Sequence, residues 1–93
     1  MILVTVKAFA DFRELLGREL TIAVPEGETV RGLLNALGRQ HELFLPRVLE
    51  QDGQLRPAIS ILQNGMNIQS LQGLDTGLAD GDTIAVFPPV AGG

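Results

Sequence analysis

Residues 83–89 read TIAVFPP, and the fold turns on this stretch. Ile84 and Val86 fall on one side and Phe87 on the other, the period-two alternation of a strand. Asp80-Gly81 supplies a turn just before it. Pro88-Pro89 must end it, because neither proline has an N–H to donate to a sheet ladder. A strand so late in the chain needs an earlier partner, and ILVTVKAF (2–9) is the best candidate. There Ile2, Val4, Val6 and Ala8 form an apolar face, while Leu3, Thr5, Lys7 and Phe9 form a mixed one.

Between these two strands the pattern alternates between the periods of strand and helix. DFRELLG (11–17) predicts a short helical turn, with Asp11 as N-cap, Glu14 in the capping-box position and Gly17 as the stop. ELTIAVP (19–25) alternates again, aligning Leu20, Ile22 and Val24, and its short link to the first strand predicts antiparallel pairing. Thr29 then precedes Val30, Leu33, Leu34 and Leu37, one apolar stripe of a helix. Gly32 and Gly38 each cost that helix about 1 kcal/mol relative to Ala, so packing must hold it. Residues 40–57 read as loop with one helical turn at PRVLE (46–50). AISILQ (58–63) predicts a third strand, Asn64-Gly65 a tight turn, and a short fourth strand is expected near Asn67. The order strand–strand–helix–strand–strand–strand defines an α+β protein with a mixed sheet of four to five strands over one main helix. The last strand returns parallel to the first, which is a β-grasp arrangement.

The 93 residues suffice for a single domain, 1–93, with 88–93 as an extended tail. An apolar fraction of 45% argues for a folded core. No apolar run reaches the ~18–20 residues of a membrane-spanning helix. Met1 leads directly into strand-like sequence with no basic leader, so a cytoplasmic protein is expected. The net charge of −4 opposes nucleic-acid binding. There is no cysteine and one histidine, His41, which leaves neither thiolate chemistry nor a metal-binding cluster.

The remaining polar groups have ordinary roles. His41 and Glu42 are adjacent and suit a solvated helix end. Asp75, Asp80 and Asp82 lack the spacing of a calcium loop and suit turns in which aspartate bonds its own backbone. Neither Ser60 nor Ser70 has a histidine in a motif, and no glycine-rich phosphate cradle is present.

Chemistry is left to the end of the chain. Residues 83–93 contain no charged side chain, and the last two are Gly92-Gly93. A C-terminal carboxylate has a pKa of about 3.3–3.7, is ionised near neutrality, and is a poor electrophile until activated, for example as an acyl-adenylate. Glycine has no Cβ to obstruct the approach of catalytic groups. Residues 89–93 reach at most ~17 Å at ~3.3–3.6 Å each, enough to enter a neighbour's pocket. The prolines limit the ordering cost by fixing φ near −65°. Pro88, Pro89, Val90 and Ala91 thus read as the threading segment, with Gly92 and Gly93 as the reactive end.

LDTGLADGDTIAVFPPVAGG (74–93) and VKAFADFRELLG (6–17) resemble the two ends of MoaD-type proteins, small subunits of molybdopterin synthase with a ubiquitin-like β-grasp fold. One departure is Gly77, where the family often has proline. The resemblance implies a sulfur carrier that is not catalytic alone and binds no permanent cofactor. An E1-like adenylyltransferase would activate Gly93 with ATP, and a cysteine desulfurase or rhodanese-type donor would convert it to a thiocarboxylate. The synthase large subunit would then receive the tail and pass the sulfur to cyclic pyranopterin monophosphate. The resemblance also implies an interface of Phe9, Leu71 and Phe87. The same tail suits sulfur carriers for cysteine, tungsten-cofactor or thiamine synthesis, a ubiquitin-like modifier joined to lysines through Gly93, or a passive adaptor.

Overall fold

The structure, a computed structural model, describes residues 1–89. Its centre is a pair of parallel strands, β1 (Ile2–Ala8) and β5 (Thr83–Phe87), aligned with Val6 beside Ile84 and Ala8 beside Val86. β2 (Glu19–Val24) runs antiparallel to β1, while β3 (Ser60–Gln63) runs antiparallel to β5 and to β4 (Met66–Asn67). The sheet order is β2-β1-β5-β3-β4. β1 and β5 can be parallel because the helices and the other strands separate them in sequence, giving the long crossover that such pairing needs.

The main helix is α2 (Val30–Gln40), and its stripe Val30, Leu33, Leu34 and Leu37 is fully buried. Thr29 caps it by accepting from the Gly32 N–H at 3.3 Å, while the Thr29 N–H donates to the Glu28 carboxylate at 3.0 Å. Ile2, Val4, Val6, Ala8, Ile22, Val24, Ile61, Ile84 and Val86 close the core from the sheet.

The two short helices depart from the sequence reading. α1 (Phe12–Leu16) ends at Gly17, whose φ of 78° suits glycine. Asp11 occupies its N-cap position in a helical conformation, and its side chain makes no capping bond. The expected Asp11/Glu14 capping box does not form, because the Asp11 carboxylate pairs instead with Arg47. α3 (Phe44–Val48) begins two residues before the expected turn at 46–50. Pro46 is tolerated within its first turn, where backbone N–H groups lack helical partners anyway. The buried Phe44 ring meets Phe12 edge to face, centroids 5.9 Å apart, so the stretch read as loop supplies core. Two 3₁₀ turns that the sequence reading lacked, Ile68–Ser70 and Gly73–Asp75, bury Ile68 and Leu74.

Asp80 and Asp82 reach beyond their own turn. The Asp80 carboxylate accepts from the Leu3 N–H at 2.8 Å, tying the turn to β1. Asp82 makes the expected local bond, accepting from the Ala79 N–H at 2.8 Å, and also accepts from the side-chain amides of Gln63 and Asn64. Asn64, at a φ of 50°, in turn accepts from the Thr83 N–H. Gly77 pairs with Thr29 in an isolated bridge, and its carbonyl accepts from Gln63. These contacts fix where β5 begins, and hence where it ends.

Candidate functional site

β5 runs up the middle of the sheet, and its last residue, Phe87, pairs with Ser60. Ile84 and Val86 face the helix and are buried, so Phe87 projects from the opposite, open face. Beside it on that face the register sets Ala85 between Lys7 of β1 and Leu62 of β3, with Glu19 across from Lys7. The ladder stops at Phe87 as the prolines require: Pro88 is half-buried, Pro89 is exposed, and neither belongs to a strand.

Phe9 lies one residue beyond β1, its N–H donating to the Val86 carbonyl at 3.3 Å. Its ring stacks on Phe87, with centroids 4.2 Å apart and planes 12° from parallel. Arg13 covers the Phe9 ring, its guanidinium 5.4 Å from the centroid and its Nε donating to the Ala8 carbonyl at 3.0 Å. Such an aromatic pair contributes about 0.5–1.5 kcal/mol beyond its buried area, and an exposed cation–π contact about 0.5–1. The resemblance placed both rings in one interface. They are half-buried against each other, because the parallel register brings them side by side.

Leu71 is 40% exposed and follows the 3₁₀ turn after β4. β3 lies between β4 and β5, so Leu71 sits towards the other edge of the sheet from Phe9. The sequence reading missed Arg13, although its position four residues after Phe9 across a turn was a usable signal. It also missed Arg47 and Arg56, which come from the stretch read as loop. Val90, Ala91, Gly92 and Gly93, the expected threading and reactive residues, lie outside the described residues.

The electrostatics near the strand's start centre on Asp82. Burial alone would raise its pKa, but the donors from Asn64, Ala79 and Gln63 outweigh this and hold the carboxyl below its usual range. It is a structural anion rather than a reactive one. Among the described residues no helix is long and apolar enough to cross a membrane.

A mixed sheet with parallel β1 and β5 at its centre, one long helix across it and a proline-terminated last strand defines a ubiquitin-like β-grasp protein. The sequence profile of the ThiS family matches residues 6–93, and the chain belongs to that family, in keeping with the MoaD-type resemblance. It is 40% identical over 86 residues to small archaeal modifier protein 3 of Haloferax volcanii, covering 91% of this chain and 92% of that protein. It is 33% identical over 91 residues to the molybdopterin synthase sulfur carrier subunit of Escherichia coli, covering 98% of this chain and 100% of that protein. The crystal structure of SAMP1 from Haloferax volcanii matches with a TM-score of 0.85 at 37% identity, over 98% of this chain and 99% of that one.

Proposed function

We propose that this protein is a cytoplasmic sulfur carrier for molybdopterin synthesis, with the Gly93 carboxylate as the carrying group. The observation that carries this reading is the end-to-end match to the Escherichia coli sulfur carrier subunit. The geometry is consistent with it: β5 delivers the chain to the open end of the sheet, and the prolines then prevent further pairing.

In this cycle an E1-like adenylyltransferase joins a Gly93 carboxylate oxygen to the α-phosphorus of ATP and releases pyrophosphate. A persulfide on the desulfurase or rhodanese-type donor then displaces AMP from the acyl carbon to give an acyl disulfide. A donor-system thiol cleaves its S–S bond, releasing the thiocarboxylate and leaving a disulfide on the donor. The large subunit of molybdopterin synthase receives the tail, and the thiocarboxylate sulfur bonds to cyclic pyranopterin monophosphate. Water cleaves the acyl–sulfur bond, leaving the sulfur on the pterin and regenerating the carboxylate. The chain's own residues dock and present. The Phe9–Phe87 stack gives an apolar contact at the tail's root, with Leu71 as a second contact, and Pro88-Pro89 aim the tail. Partner enzymes supply the catalytic groups.

A second reading has a specific observation behind it, since the relative 40% identical is named a modifier. In that reading the same acyl-adenylate is transferred to a lysine amine. Reconstitution with the adenylyltransferase, ATP, a sulfur donor and the synthase large subunit separates the two. We expect cyclic pyranopterin monophosphate to be converted, and conversion to stop when Gly93 is deleted or extended by a C-terminal tag. Isopeptide adducts on target proteins, with no conversion, would establish the modifier reading instead.

A further inference from the structure

Beside the tail's root lies a cavity of about 420 Å³. Phe12, Pro46 and Ile59 give it apolar walls, and Pro88 and Pro89 form the side from which the tail departs. Two arginines, Arg47 and Arg56, also line it, together with Asp11 and Ala58. Arg47 is neutralised by Asp11 and lies over the Phe12 ring, 5.5 Å from its centroid. Arg56 differs. Its Nε donates to the Pro46 carbonyl at 2.9 Å, which anchors the guanidinium, and it forms no ion pair with a carboxylate among the described residues. In a chain of net charge −4, this groove holds an anchored cation with no carboxylate in direct ion-pair contact among the described residues, although Glu50 and Asp52 border it in an adjoining cleft.

We propose that the groove is a docking subsite for an acidic segment of the E1-like adenylyltransferase, a carboxylate side chain flanked by apolar residues. The proposal rests on the adenylation of Gly93 given above. Charge complementarity selects the carboxylate, because a guanidinium presents paired N–H donors that match its two oxygens. The walls select apolar neighbours. Continuity selects the partner: a protein that grips the chain at Pro88-Pro89 shares a wall with this groove. The net negative charge of the chain disfavours an extended polyanion, so a single acidic segment fits better than nucleic acid.

The test measures pyrophosphate exchange by the E1-like adenylyltransferase of the same organism, with the full chain as the varied substrate. Arg56→Glu should raise KM about tenfold or more and move kcat less than twofold, with the effect shrinking at high salt. Arg56→Lys should stay within about threefold of wild type, and unchanged thermal melting of both variants excludes misfolding. An unchanged KM for Arg56→Glu, alongside a raised KM for Phe87→Ala, would overturn the subsite and leave the carrier reading intact. If the wild-type chain is not adenylated, the carrier reading fails, and a second probe decides the groove. Titrating the ¹⁵N-labelled chain with the peptide acetyl-Leu-Glu-Asp-Leu-amide should shift the amides of Arg56, Ala58 and Ile59, and should not shift them in Arg56→Glu. Absence of those shifts would overturn the proposal. So would their appearance on deleting residues 90–93 without peptide, which would make the chain's own tail the occupant.

Discussion

Asp82 immediately precedes β5, Phe87 ends it, and the two do opposite work. Asp82 is buried and charged, and three donors hold its pKa down. A depressed folded pKa means that its contribution is fully present above the unfolded value near 3.8 and is lost as pH falls through the lower folded value. Asp82→Asn places an amide N–H₂ against donors already aimed at the carboxylate. It should cost about 2 kcal/mol near neutrality, by analogy with other hydrogen bonds to charged groups, and that deficit should narrow below about pH 4. Chemical denaturation across that pH window measures both. Phe87 is half-buried, so Phe87→Ala should cost clearly less than the about 3–5 kcal/mol expected for the fully buried Phe44→Ala. Its larger effect should be on partner affinity, and an unfolding cost equal to that of Phe44→Ala would place its ring in the core. The alternation of 83–87 made the facing of Phe87 readable, and Asp82 was legible only as a turn residue. The Asp82 clasp was not readable, because its donors Gln63 and Asn64 come from a distant hairpin and only the folded register brings them together.

At the scale of elements, the two glycines of α2 separate propensity from packing. A Cβ at Gly38 would come within 2.4 Å of Leu45 in α3, whereas one at Gly32 would meet only the side chain of Glu28. Gly38→Ala should therefore lose more to crowding than the about 1 kcal/mol it gains in helix propensity, giving a lower melting temperature. Gly32→Ala displaces the Glu28 carboxylate and its bond from the Thr29 N–H, so the about 1 kcal/mol gained in helix propensity should be offset and the melting temperature should change little. A sequence pattern sees both as helix weakeners. That explains what was legible here: α2 and the four longer strands announce themselves through the period of their apolar residues. α3 does not, since five residues around a proline carry too little periodicity, and only the Phe12–Phe44 contact shows why it folds. The error at Asp11 has the same origin. Its N-cap position is local, but its partner Arg47 lies on α3, and an ion pair across the fold replaced the local cap.

For the molecule as a whole, the arrangement concentrates stability at the sheet's centre and leaves the end of β5 available. The parallel β1–β5 pair, clasped at its start by Asp80 and Asp82, carries Phe9 and Phe87 to one place on the open face. The fold class was readable because element order leaves few ways to pair five strands around one helix. The candidate site was readable in part, from the charge-free ending and the prolines, while the neighbouring cations emerged only with the tertiary structure. The central claim is that Gly93 carries sulfur for another enzyme. The intact mass of the purified chain, after incubation with the E1-like adenylyltransferase, ATP and a sulfur donor, tests it most directly. The account predicts a gain equal to one oxygen-to-sulfur exchange, localised to the C-terminal fragment and abolished by deletion of Gly93. A chain whose mass stays unchanged while the same enzymes load a known sulfur carrier would contradict it.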